Sequence, residues 1–209
     1  MRVRKYTEVK IDPKDDNLVF TILDLAGWYE GRNVDIAEIE EFYAKSDYKL
    51  NEPSKEFFRE FFGLPNKFCF KFKKPQMDKW SVGGNELMFD TFVSNGIFDF
   101  KLEIEKQDFE REKLLVFNHE PNGAVPVADC GFHLGGTLWI GNSGNFFRTY
   151  YYAPETIECY DSVIKMFEHD FGKYRTSDEL FVSLGGYAKE WGVGGDAYLK
   201  RYLQEYGEI

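Results

Sequence analysis

The groups in this chain that could do chemistry are three histidines, three cysteines and a surplus of carboxylates. His119, His133 and His169 stand far apart, as do Cys69, Cys130 and Cys159. A metal site needs ligands that converge, which sequence usually announces by short Cys or His spacings. None occurs here, and no GxSxG elbow presents a nucleophile. The pairs Gly83-Gly84, Gly135-Gly136, Gly185-Gly186 and Gly194-Gly195 fit neither GxGxxG nor GxxxxGK[ST]. They read as turns, bulges and helix ends rather than phosphate cradles. Glu103 with Glu105, and Glu155 with Glu158, would serve as acid and base only if burial or mutual opposition drove their pKa values apart. As a solvated face, or as an acidic surface shown to a partner, they need neither. The expectation is a chain with no catalytic residues, no metal and no cofactor, hence not an enzyme.

What remains is recognition. Trp80, Trp139 and the run Tyr150-Tyr151-Tyr152 are the ring systems suited to anchor an interface, where Trp and Tyr dominate the binding energy. Core packing is the competing role for each Trp. The candidate partner-binding residues are therefore Trp139, Tyr150 and Tyr152, with Glu103, Glu105, Glu155 and Glu158 as the charged component. The lysines from Lys67 to Lys79 admit two roles, contact with an acidic ligand or protection of a sheet edge. Edge protection is the simpler.

Charge narrows the class of partner. The chain of 209 residues has 26 basic and 36 acidic side chains, a formal net charge of −10. The excess is uneven: residues 67–80 hold five lysines against Asp78, whereas residues 81–209 account for a net −10. Such a balance disfavours nucleic acid and anionic membranes, which are bound by clustered Lys and Arg, and favours encounter with a basic protein. The hydrophobic fraction of 43% and aromatic fraction of 18% are enough for a core. An odd number of scattered cysteines reads as free thiols in a reducing compartment. No apolar run follows the basic start Met1-Arg2-Val3-Arg4-Lys5, and no window is long enough to span a membrane. A cytoplasmic location is expected.

The elements that must position these groups follow from periodicity. A first helix is expected from about Pro13 to Ala26, with Asp12 as N-cap and Gly27 just past its end. A second starts at Ile36, where Asp35 and Glu38 resemble a capping box. A third runs from about Pro53 to Phe62 and ends at Gly63. The alternating Phe68-Cys69-Phe70-Lys71-Phe72 predicts a strand with one wet side. Further strands are expected over Glu86 to Phe92 and Ile97 to Ile104, then a helix over Lys106 to Phe117. Leu134 to Tyr152 predicts a hairpin turning at Gly141-Asn142-Ser143-Gly144-Asn145. Helices are expected over Thr156 to Phe171, Ser177 to Leu184 and Asp196 to Tyr206. The order implies an α+β fold with a central, mostly antiparallel sheet flanked by N-terminal and C-terminal helices. Its expected domains are residues 1–172 and a helical extension, 173–209, packed on them.

One stretch has the look of a signature. Ala26-Gly27-Trp28-Tyr29-Glu30-Gly31-Arg32, followed by Val34-Asp35-Ile36, resembles the AGW-x-x-GR-x-V-D-I motif of the third subfamily of SUKH superfamily immunity proteins. Phe57 to Leu64 extends the likeness, and Val125-Pro126-Val127-Ala128 with Thr137-Leu138-Trp139-Ile140 and Gly144 is similar to a later element, with Ala128 where a Gly is expected. The match is closest over about residues 13–64, looser over 65–150, and has no counterpart beyond about 172. The resemblance implies a SUKH-like domain that neutralises a polymorphic bacterial toxin, often a nuclease or deaminase, by binding it in the cytoplasm. The alternative is a regulatory interaction module of the same superfamily. It brings no catalytic residues, and the toxin-contacting surface varies within the family. Read from the residues themselves, the motif is structural. Gly27 stops the helix, Trp28 folds back as an apolar plug, and Gly31 permits a turn. Arg32 donates to carbonyls at a helix end or to a carboxylate.

Overall fold

A computed structural model describes residues 9–64, 67–76, 81–86, 106–130, 136–151, 153 and 155–184. The elements in chain order are β1 (Val9–Ile11), α1 (Leu18–Leu25), α2 (Ala37–Ala44), α3 (Glu52–Phe61), β2 (Lys67–Lys73), β3 (Ser81–Glu86), α4 (Lys106–His119), β4 (Ala124–Cys130), β5 (Gly136–Gly141), β6 (Phe146–Thr149), β7 (Ile157–Tyr160), α5 (Val163–Gly172) and β8 (Glu179–Leu184). The fold is α+β and, among the described residues, every strand pairing is antiparallel, with the strands shared between two sheets of order β1-β8-β2-β3 and β4-β5-β6-β7. The chain divides into two compact units. One comprises the described parts of Met1–Tyr29, Leu64–Glu86 and Phe167–Ile209, the other those of Glu30–Gly63 and Leu87–Met166.

In the first unit, α1 buries Leu18, Val19, Ile22 and Leu23, the i, i+4 pairs of one helical face. It is shorter than expected at its start. Residues 12–17 form turns, in which Asp12 accepts from the Lys14 backbone and Asp15 from that of Asn17. These local side-chain bonds compete with a helical first turn, as Asp side chains commonly do. Phe70 of β2 is fully buried and stacks on Tyr174 at 4.3 Å, with Phe171 at 5.3 Å.

Two expectations for this unit are overturned. Glu179–Leu184 is a strand, not a helix, and pairs with β1 on one side and β2 on the other. The alternation of buried Leu180 and Val182 with half-buried Phe181 is the period-two signal of a strand. Because β8 inserts beside β2, β2 is interior to its sheet, so its lysines do not guard an edge. Lys71 instead lies across from Phe181, which Lys10 flanks on the other strand, both ammonium groups standing over the ring at 5.8 and 5.6 Å.

The second unit is built on β4-β5-β6-β7. The hairpin forms as expected: Trp139 faces Phe147 and Ile140 faces Phe146, and Gly144 turns the tip with φ 89°. All six residues of β5 are buried because both faces of the sheet are covered. On one face Phe57 of α3 meets Phe146 edge-on at 6.0 Å. On the other, Val116 of α4 packs with Ala124, Trp139 and Phe147. Burying a Trp and two Phe in this way contributes several kcal/mol. Pro126 is tolerated because β4 is an edge strand, and its carbonyl accepts from the buried Tyr43 hydroxyl at 2.5 Å. A register shift between Pro126 and Ala128 bends this strand.

Asn51 caps α3, its side chain accepting from the Ser54 backbone at 2.8 Å. At α2 the capping box does not form, although Asp35 accepts from the Ala37 backbone at 3.0 Å. The helix expected over Thr156 to Phe171 is two elements: β7, then α5 starting behind Ser162, whose hydroxyl accepts from the Lys165 backbone. The stripe Ile157, Tyr160, Ile164, Phe167 fits helical spacing, but its first two members are strand residues. The strand expected over Glu86 to Phe92 lies outside the described residues except for Glu86, which ends β3, and the strand over Ile97 to Ile104 and the helix over Asp196 to Tyr206 lie wholly outside them.

Candidate partner interface

The signature stretch resolves into two pieces of local structure. In the first, Ala26 is the C-cap of α1, the Gly27 N–H donates to the Asp24 carbonyl at 2.9 Å, and the Trp28 N–H to that of Leu23 at 3.0 Å. Gly27 has φ 88°. This is a Schellman stop, in which two backbone bonds satisfy carbonyls that the helix leaves open and a left-handed residue, best glycine, reverses the chain. Trp28 is half-buried, its ring 5.8 Å from that of Phe20 on the helix it ends.

In the second piece, Gly31 has φ 77° and sends the chain along the end of α3. Arg32 is buried, at 5% exposure. It donates from Nη1 to the Glu60 carbonyl at 2.5 Å and from Nη2 to the Phe62 carbonyl at 2.7 Å. The Val34 N–H donates to the Arg59 carbonyl at 3.0 Å. The last carbonyls of α3 are thus satisfied by the segment that precedes α2, and a guanidinium sits at the negative end of a helix dipole. Of the two roles open to Arg32 in sequence, donation to helix-end carbonyls is among those it fulfils.

The candidate residues of the second half divide sharply. Trp139 has no exposed surface, and its indole N–H donates to Thr149 Oγ1 at 3.3 Å. It supports the sheet from inside and is not available to touch a partner. Glu103, Glu105 and Tyr152 lie outside the described residues. Tyr150, Glu155 and Glu158 fall around β6 and β7. Glu155 is exposed in the turn before β7. Tyr150 and Glu158 are half-buried and brought together by a residue that the sequence did not single out, Arg148.

Arg148 lies opposite Glu158 in the β6–β7 register. Its Nε donates to Glu158 Oε2 at 2.7 Å, and its Nη2 stands 2.5 Å from the same oxygen. Its guanidinium lies over the rings of Tyr150 and Tyr160, at 5.8 and 5.6 Å. Tyr160 accepts from Arg148 Nη2 at 3.1 Å and donates to Glu158 at 2.7 Å, and the Tyr150 hydroxyl donates there too. Burial works against the Glu158 charge, but the Tyr160 hydroxyl, the Arg148 cation and the Tyr150 hydroxyl outweigh it, holding the carboxyl below its ordinary value. A general acid needs the opposite shift, so Glu158 is built to stay ionised and not to deliver protons. The cluster is pre-organised: half-buried Tyr150, Glu158 and Tyr160 are held around the buried Arg148 guanidinium, with Glu155 nearby in sequence. Arg148 and Tyr160 were missed because their link to Glu158 needs the strand register, which a helical reading of residues 156–171 hides.

His133 and the side chains of Cys69 and Cys130 lie outside the described residues. His119 contacts the Leu115 carbonyl on its own helix, and His169 lies 3.5 Å from Asp170. Burial, then Asp161 and Glu120, push the exposed Cys159 thiol up, which disfavours the nucleophilic thiolate. Among the described residues no group of His, Cys, Asp and Glu could hold a metal ion, and no helix is long and apolar enough to cross a membrane.

A family model described as SUKH-3 immunity protein matches residues 16–86. Over those residues, about a third of its length, the chain is similar to the SUKH-3 immunity protein family. The SUKH-3 segment takes in α1, the Schellman stop, the Arg32 clip, α2, α3, β2 and β3. It ends before the β4–β7 sheet, where the resemblance read from sequence was already looser. No curated protein and no solved structure gives a significant match to the chain.

Proposed function

We propose that this chain is an immunity protein that binds and neutralises a cognate polymorphic bacterial toxin in the cytoplasm of the cell that makes both. The observation that carries the proposal is the SUKH-3 segment, with its helix stop and Arg32 clip. Charge supports it: an acidic chain of net −10 suits a basic toxin of the nuclease or deaminase kind, whose nucleic-acid cleft an acidic surface can cover. It acts by binding and not by catalysis. The surface around Tyr150, Glu155 and Glu158 is the proposed contact in the second unit, where Arg148 holds aromatic and acidic groups ready for a partner.

Co-expression with the products of neighbouring toxin-like genes tests this. A stable complex and restored growth with one of them are expected. Failure of every such candidate to bind, or to be neutralised, rules out the proposal.

A further inference from the structure

The large apolar side chains that stand most exposed among the described residues are Phe20, Tyr29 and Leu114. Two of these flank the helix stop. Phe20 is 43% exposed on α1 and Tyr29, two residues past Gly27, is 60% exposed. Between them Trp28 is half-buried against the Phe20 ring at 5.8 Å, with the planes tilted by 31°. The residue in Trp28's position of a Schellman stop ordinarily packs on the apolar side of the helix it ends. One of its ring contacts is the 43% exposed Phe20, so the stop displays aromatic surface. A single exposed ring calls for no explanation, but two exposed rings and a half-buried one along one short helix and its stop do.

The charge around them has one sign. From Asp15 to Gly31 the sequence has Asp15, Asp16, Asp24 and Glu30 and no Lys or Arg. Asp15 is committed internally, accepting from the Asn17 backbone and the Thr21 hydroxyl. Arg175 reaches only the start of this stretch, donating to the carbonyls of Asp15 and Asp16. Asp24 is exposed, makes no ion pair with a described residue, and sits in the last turn of α1. A carboxylate there faces the negative end of the helix dipole and gives the fold nothing.

We propose that the surface formed by Phe20, Trp28 and Tyr29 docks a basic segment of a protein partner, with an Arg side chain laid over the rings and its charge against Asp24. Arg fits better than Lys because its flat, weakly hydrated guanidinium stacks on aromatic faces. An anionic lipid surface is the wrong sign for this stretch. The proposal rests on the reading of the chain as a toxin-binding protein and adds a contact surface and the partner chemistry that fits it.

The test uses the full chain and the toxin found by co-expression. Replacing both Phe20 and Tyr29 by Ser should weaken the complex by about tenfold or more in protein that still unfolds cooperatively, and Tyr29→Ser, at the more exposed ring, should weaken it with the melting temperature unchanged. Asp24→Lys should slow association and flatten its salt dependence. A complex of undiminished affinity with both variants overturns the proposal and leaves the toxin-binding function standing. If the wild-type chain binds no candidate toxin, that function fails by itself. The surface is then decided by titrating the peptide acetyl-Arg-Leu-Arg-Gly-Arg-Leu-Arg-amide into isotope-labelled protein. Amide and indole shifts centred on Phe20, Asp24, Trp28 and Tyr29, and lost in Asp24→Lys, sustain the proposal; shifts confined to other acidic regions overturn it. Self-association abolished by the Phe20 and Tyr29 changes would assign the surface to a second copy and overturn it too.

Discussion

Arg32 shows how much one side chain can organise. It is buried, yet its charge is spread over two carbonyls at the end of α3. Truncating it leaves those carbonyls without their donors. Arg32→Ala should cost about 2–3 kcal/mol in a denaturant titration, and Arg32→Lys should recover only part of that because an ammonium cannot reach both acceptors in one plane. A Lys variant as stable as the wild type would show that the fork geometry is immaterial. Gly27 carries a different kind of constraint. At φ 88° any side chain is strained, so Gly27→Ala should destabilise by about 1–2 kcal/mol through the backbone alone. The stop at Gly27 was legible in sequence because it depends on a few adjacent residues, whereas the sequence left the acceptors of Arg32 open and they lie 28 and 30 residues away at the end of α3.

At the scale of the element, the β5–β6 hairpin was equally legible, since alternation and a Gly-Asn-Ser-Gly-Asn turn are local signals. Its tightest point was not. A Cβ on Gly136 would lie 2.0 Å from the Thr149 carbonyl oxygen, part of a paired strand that cannot yield. At Gly141 the atom met is the Glu120 side chain at 2.7 Å, which can rotate if it gives up Ser143. Gly136→Ala should therefore lower stability by about 3 kcal/mol, clearly more than Gly141→Ala; equal melting temperatures would contradict this. The β6–β7 pair adds a pH dependence. The folded-state pKa of Glu158 is below its unfolded value. Its contribution is therefore complete above about pH 4.3 and disappears as the pH falls through the lower folded value. Because the carboxylate is partly solvated, the effect should be a fraction of a kcal/mol. Glu158→Gln should flatten the acid limb of stability plotted against pH; an identical limb would mean that Arg148 and the tyrosines do not hold the charge.

For the whole molecule, net charge is the property that acts at a distance. With −10 overall, association with a basic partner should slow as salt is raised from about 50 to 500 mM, while dissociation changes little. Association rates indifferent to salt would separate the acidity from partner capture. The α+β class could be read from the order of helices and strands, but the neighbours within the sheets could not. Glu179–Leu184 joins β1 and β2 across more than a hundred residues of chain. Its alternating Leu180, Val182 and Leu184 were available as a signal, though nothing local says which edge they will fill.

The sequence by itself determined the features whose free energy is local, the stop at Gly27 and the hairpin tip at Gly144, together with the sign of the charge. Tertiary structure alone decided that Trp139 is core, that Arg148 meets Glu158, that β2 is interior, and that the Phe20 and Trp28 rings meet where solvent reaches Phe20. These depend on strand register and on which faces are covered, and a one-residue slip or a different neighbour would reverse each of them.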